Sequence, residues 1–128
     1  MTSTDVTPTI TADALFAKID GRELRAVADL FAEDATMVFG NGEPLSGRQA
    51  ILAANAAFMD TIAGLRHRIL DTWAVDATTI ALTDVTYTRL DAGEVTLPAV
   101  TIWRVGDDGL IADLRVVLDL ARVYAPPQ

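Results

Sequence analysis

The chain has no cysteine, one histidine and two tryptophans among its 128 residues. Without cysteine there is no disulfide framework, thiolate nucleophile or thiolate metal site. One histidine, with no cluster of carboxylate partners beside it, makes no transition-metal site. Basic residues are scarce as well: 10 Lys and Arg stand against 18 Asp and Glu, a net charge of −8. No run of Lys or Arg offsets that charge, so phosphate backbones and anionic membrane surfaces are repelled, and nucleic acid is not an expected partner. Long apolar runs are missing too, so nothing spans a bilayer, and the stretch from Met1 to Thr11 lacks the basic start and apolar core of a secretory signal. A soluble, cytoplasmic protein is expected. At this length a single domain buries about 65–70% of its unfolded surface, enough for one core.

What is present is organised around Leu24 to Gln49, where the hydrophobic period changes twice. Leu24, Val27, Ala28 and Phe31 recur at i, i+3, i+4 and i+7, which predicts an amphipathic helix up to Ala32, ended by Glu33 and Asp34. Ala35 to Phe39 is rich in β-branched and aromatic residues and is closed by Gly40-Asn41-Gly42, which predicts a short strand and turn. Ser46 stands three residues before Gln49, the spacing of a capping box, so a further helix is expected from about Gly47 to Ala63. Ile51, Ala54, Phe58 and Ile62 form its inner stripe. Asn55 interrupts that stripe, either as a core amide bonded to backbone or as a polar group aimed into a cavity.

Before this stretch, residues 1–11 are polar and carry Pro8, so a flexible leader is expected, and Thr11 can cap a helix from Ala12 that Gly21 ends. After it come four strand-like runs at hairpin spacing: Leu65–Val75, Thr79–Leu90, Glu94–Val105 and Leu110–Leu118. Residues 125–128 form a short tail, leaving one domain over 12–124. The expected fold class is α+β, with three helices on one face of a curved antiparallel sheet and a candidate pocket between the layers.

Strand parity then names the candidate polar groups. His67 alternates with Leu65 and Ile69, opposite Arg66 and Arg68, and titrates near neutrality, so it is either a catalytic acid–base group or a hydrogen-bonded structural histidine. Thr83, Val85, Tyr87 and Arg89 share a face; inward, Tyr87 offers a phenol and Arg89 a cation near the pocket mouth, and outward both are surface residues. Ala99, Thr101, Trp103 and Val105 alternate together, so Trp103 supplies either a pocket wall or core packing. On the last strand Leu114, Val116 and Leu118 take the buried side, which leaves Asp113 outside.

The stretches FAEDATMVFGNGEPLSGRQAI, DVTYTRLDAGEVTLPAVTIWRV and GLIADLRVVLDL resemble the SnoaL-like branch of the NTF2-like superfamily, whose cone-shaped folds include ketosteroid isomerase and limonene epoxide hydrolase. The resemblance implies a cone built on bent strands, which favours a bulge over an edge position at Pro98. It also implies catalytic positions, and neither known catalytic set is present at them. The three isomerase places hold Leu15, Phe39 and Thr101, and the epoxide hydrolase places hold Met37, Phe39, Val85, Tyr87 and Val116. The expected site is therefore an apolar pocket with Asn55, His67, Tyr87 and Thr101 as its polar points, lined also by Leu15, Phe39, Phe58, Trp103 and Val116. Three readings stay open. One is a cofactor-independent isomerase, cyclase or hydrolase acting on a hydrophobic ring compound through His67 and Tyr87. The others are a non-catalytic binding module for such a compound and a dimeric structural domain whose pocket is filled core. A homodimer through the outer sheet face is expected, because Val100, Ile102 and Val117 call for a cover.

Overall fold

Thr11 does cap the first helix. In the computed structural model, which describes residues 10–125, its Oγ1 accepts the Ala14 N–H at 3.2 Å. Helix α1 (Ala12–Asp20) then buries Leu15 and Phe16. The expected leader over 1–11 and tail over 125–128 lie outside the described residues, apart from Ile10, Thr11 and Ala125. Helix α2 (Leu24–Ala28) is shorter than its periodicity suggests, because strand β1 (Phe31–Phe39) claims Phe31 and Ala32. Phe31 fits both the helical spacing and the alternation with Ala35, Met37 and Phe39. Tertiary partners decide between them: the Leu30 carbonyl accepts Ile111 N–H at 2.8 Å, and the Phe31 carbonyl accepts the Arg48 guanidinium at 2.6 and 2.9 Å. Ladder hydrogen bonds win over a four-residue extension of a marginal helix.

The capping box at Ser46 does not form. Ser46 sits in strand β2 (Leu45–Ser46), paired with Thr36. Gly47, at φ +97°, makes the turn into helix α3 (Arg48–Met59), a conformation that favours glycine. Strands β3 (Gly64–Val75), β4 (Thr78–Thr88), β5 (Glu94–Val105) and β6 (Ile111–Val117) follow, and a short α4 (Ala121–Tyr124) ends the described chain. The sheet order is β2-β1-β6-β5-β4-β3. Every neighbouring pair is antiparallel except β1 and β6, the first long strand and the last, which run parallel between β2 and β5. Helix α1 packs on β3 and α3 on β1, so the helices cover one face of the curved sheet, in the α+β arrangement expected.

Pro98 is not a bulge. It pairs with Asp84 in an unbroken β4–β5 register, and pairing of β5 with β6 starts only at Val100. On that side the backbone at Pro98 has no ladder to supply with a donor, so proline is tolerated. The register breaks elsewhere, most plainly in β3, where Ile69 faces Thr83 and Asp71 faces Leu82, leaving Leu70 as an extra residue. This reverses parity along β3. His67 and Ile69 point inward, whereas Trp73, two turns of the alternation later, faces out opposite Ile80 and is 48% exposed. A bulge bends its strand and strengthens the local twist, which helps to curl the sheet around the helices.

Candidate functional site

Between helices and sheet lies a cavity of about 80 Å³. Its wall is built by strand alternation: Leu65 and His67 from β3, Val85 and Tyr87 from β4, Ala99 and Thr101 from β5, Leu114 and Val116 from β6, Met37 and Phe39 from β1. The helices close it with Leu15, Phe16, Ile19, Leu24, Asn55, Phe58 and Met59, among others. Asn55, His67, Tyr87 and Thr101 are the only polar side chains of this lining, and none of the lining residues is an Asp, Glu, Lys or Arg. Among the expected site residues, Leu15, Phe39, Asn55, Phe58, His67, Tyr87, Thr101 and Val116 therefore come together on one cavity.

Trp103 does not. It is fully buried in the core beside the cavity, where its Nε1 donates to the Ile10 carbonyl at 3.2 Å and its ring meets Phe16 edge-on. Phe16 lines the cavity in its place. Arg89 is also absent from the lining, since its guanidinium bonds the Val123 carbonyl at 2.8 Å and Asp91 at 3.2 Å. Asp113 lies on the outer face, held by the Arg104 Nε at 2.9 Å within the same chain.

Asp20 has no place in the sequence reading, yet it is the most telling residue here. Its Oδ2 accepts the His67 backbone N–H at 2.9 Å and its Oδ1 lies 2.6 Å from His67 Nδ1. A carboxylate only accepts, so in the neutral ring Nδ1 carries the proton and Nε2 keeps its lone pair for a ligand. The imidazole is stacked on Phe16, ring centroids 4.3 Å apart and planes at 12°. Its side chain is 9% exposed. Burial lowers the His67 pKa, outweighing the hydrogen bond and the charge of Asp20, which both raise it, so the ring is neutral at pH 7. One signal for Asp20 was present: it ends α1, where the helix dipole disfavours an anion, so an acid there needs a partner.

Opposite the imidazole in character stands Tyr87, 2% exposed. Burial first, then Tyr124 and Asp20, push its phenol pKa well up, so it stays protonated and can donate. Among the described residues its hydroxyl has no hydrogen-bond partner. A buried donor of this kind can hydrogen-bond an acceptor that enters the cavity, a water or a ligand carbonyl. Rings mark one side of the cavity: Phe58 lies 5.1 Å from Phe39 and 6.0 Å from Tyr87, and Phe39 and Phe58 are only partly buried. A space of this size takes a single small ring or a few waters. No helix among the described residues is long and apolar enough to cross a membrane, and no group of three His, Cys, Asp or Glu among them is placed to hold a metal ion.

This geometry can be set beside known proteins. A protein of ketosteroid isomerase-like fold from Catenulispora acidiphila, solved in complex with trimethylamine, superposes with a TM-score of 0.80 at 20% identity, over 91% of each chain. TerC, co-crystallised with polyporic acid, gives 0.76 at 18% identity, over 87% of this chain and 90% of its own. SalBIII, an epoxide hydrolase/cyclase-like enzyme of pyran ring formation in the polyether salinomycin, gives 0.74 at 16%, over 85% and 88%. No curated protein sequence matches the chain. At these identities the likeness is one of fold, the NTF2-like cone. The SnoaL-like domain family matches residues 12–114, from the capped first helix to the inward Leu114 of the last strand, and the chain belongs to that family.

Proposed function

We propose that the protein is an enzyme that moves a proton on a small, uncharged carbonyl compound, using its own side chains. The observation that carries this reading is the Asp20–His67 pair set in the wall of an apolar cavity. His67 Nε2 takes a proton from the carbon beside the carbonyl, and the electron pair left behind moves onto the carbonyl oxygen as an enolate. Tyr87 donates a hydrogen bond to that oxygen, more strongly as charge develops. Asp20 steadies the imidazolium that forms. The same proton then returns to carbon, at the original position or a conjugated one, and nothing is oxidised or reduced. Charged substrates suit the site poorly, since a carboxylate or phosphate would be buried with no cation among the lining residues. Polyketide-type ring compounds, which the SnoaL-like family and the polyporic acid bound by TerC bring to mind, fit the chemistry; a fused ring system requires the Phe39–Phe58 side to part.

The test is deuterium uptake. Monocyclic ketones and enones incubated with the protein in D₂O are expected to exchange their α-hydrogens, read by mass spectrometry. His67→Gln should lower that rate by at least about 10²-fold, since a positioned acid–base group contributes about 10²–10⁴. Saturable binding of these compounds with no catalysed exchange favours instead the binding-module reading, which the lack of the transferable isomerase and epoxide hydrolase residues supports. The outer sheet face adds one more part to the proposal. Leu70, Trp73 and Val117 are exposed there beside partly buried Ile80, Leu82, Val100 and Ile102, and we read this apolar surface as the contact between two copies. A monomer at micromolar concentration in sedimentation equilibrium removes that part alone.

A further inference from the structure

We propose that Arg22 is a positioning residue for the Asp20–His67 pair, acting from the turn between α1 and α2 by tying that turn to the end of α3. Three observations converge on it. First, Arg22 lies two residues after Asp20 and holds φ +58°, a left-handed conformation that a residue with a side chain rarely adopts. Glycine would take it without strain; arginine at this position adds a guanidinium to the turn. Second, its guanidinium donates to the carbonyls of Ala63 at 2.7 Å, Ile62 at 3.3 Å and Met59. Met59 is the last residue of α3, at its partly negative end, and Ile62 and Ala63 lie in the turn that follows, so the cation forms charge-assisted bonds along the exit from the helix. Third, those carbonyls belong to the segment that leads directly into β3. Ala63 is already fixed to the sheet through Thr88, 2.8 Å away, and His67 follows three residues after Gly64.

The turn thus grips the run from Met59 to His67 at two points, with the Arg22 guanidinium on its start and the Asp20 carboxylate on its end. Gly21 stands between the two residues and carries no side chain of its own to hold the turn. With the guanidinium grip gone, Asp20 is left to set both the place of the turn and the direction of the imidazole. The carboxylate also sits at the unfavourable end of α1, so its own helix does not hold it in place. The inference rests on the reading of His67 as a base only for its effect on turnover; the effect on the imidazole itself is independent of any reaction.

The chain has one histidine, so a long-range ¹⁵N NMR spectrum of the imidazole reports His67 and nothing else. In the parent protein the neutral ring should hold its proton on Nδ1. Arg22→Gly keeps the left-handed turn and removes the guanidinium; it should give a mixture with the Nε2-protonated tautomer and lower α-hydrogen exchange by roughly tenfold to a hundredfold, the scale of a catalytic group set askew. Arg22→Lys, with one donor group for three carbonyls, should fall between. Thr61→Ala is the control for a merely looser α3 end, because it removes the Thr61 bonds to Phe58 and Tyr124 without touching the turn; it should lower the melting temperature and leave the tautomer on Nδ1. A folded Arg22→Gly protein with the parent tautomer overturns the proposal, as does Thr61→Ala shifting the tautomer equally. Should Arg22→Gly not fold, Arg22→Lys decides by the same spectrum, a mixed tautomer supporting the proposal and the parent tautomer overturning it. A shifted tautomer in a protein whose exchange is indifferent to His67→Gln sustains the role of Arg22 and removes the enzymatic reading.

Discussion

Strand β5 carries Trp103 toward one end of its inward face and Ala99 toward the other, and the molecule differs accordingly at the two places. Around Trp103 the core is solid: Leu15, Phe31, Ile51 and Ile111 join it at 0–1% exposure. Around Ala99 the neighbours are Val85, Tyr87, Leu97 and Met59, with Phe58, Leu65 and Val116 only partly buried, and the cavity opens between them. The strand alternation is the same at both places. What changes is the volume each inward position supplies, since Thr101 and Ala99 stand where a second large ring would close the gap. The cavity is thus a consequence of small residues at inward positions of a sheet whose far end is sealed by an indole.

The comparison predicts opposite responses to truncation. Trp103→Ala should cost about 3–5 kcal/mol in urea unfolding, the range for deleting a fully buried aromatic ring. Tyr87→Phe, at the cavity, removes a hydroxyl with no protein partner among the described residues and should be neutral or slightly stabilising, while exchange activity falls. A loss of more than about 1.5 kcal/mol for Tyr87→Phe means that the phenol is already bonded within the protein, and the oxygen-binding role assigned to it fails.

Filling the gap is the complementary change. Ala99→Leu places added methyl groups into the cavity and should alter stability by no more than about 1.5 kcal/mol, because the new atoms meet empty space instead of packed neighbours. Ligand binding, followed by calorimetry, should disappear. Binding that survives this substitution locates the ligand somewhere else.

Part of this was readable beforehand. Period-2 alternation placed Leu65, His67 and Val116 on the inner face, whereas it left Tyr87 inward or outward and the break in the helical stripe left Asn55 as core amide or cavity group; the structure puts both in the cavity wall. The misses have specific causes. Phe31 satisfied two periodicities at once, and only its long-range partners Arg48 and the Ile111 strand chose the extended one. Ser46 carried a helix-start pattern but pairs with Thr36, which local spacing cannot reveal. Trp103 shares the parity of Thr101, yet parity gives a face and not a depth along the strand, so its place beyond the cavity was hidden. Asp20 and Arg22 were missed for a deeper reason: the acid at the unfavourable end of α1 signals only that it needs a partner, and the partners, His67 and the exit of α3, lie about forty-five and forty residues away, where nothing in the turn names them.

A smaller effect separates the two faces of the Asp20–His67 pair by pH. His67 has its pKa below the ordinary 6.5 in the folded protein, chiefly through burial. The unfolded chain therefore takes up this proton first as pH falls. The contribution to stability is whole above about 6.5, declines as pH drops from there toward the folded value, and levels off below it. His67→Gln should flatten that part of a urea-midpoint curve. If the curve instead falls as pH rises through this window, the carboxylate outweighs burial and the resting imidazole is charged.

The smallest expected effect belongs to the outer face, and it tests the assignment of faces on which everything else depends. Arg104 and Asp113 form an ion pair with side chains 53% and 46% exposed. Exposed pairs of this kind contribute about 0–1 kcal/mol, because water screens the charges and two long side chains lose freedom. Asp113→Asn should thus shift the urea midpoint barely, shift it less still in high salt, and leave α-hydrogen exchange unchanged. The substitution preserves shape and removes one charge, so any large loss has an electrostatic origin. A loss of exchange comparable with that of His67→Gln would make Asp113 the proton acceptor, with the reacting compound on the convex side of the sheet. The inward cavity, its neutral imidazole and its buried phenol would then need a different explanation. Unchanged exchange leaves His67 as the proton-transfer group and the outer face free to meet a second copy of the chain.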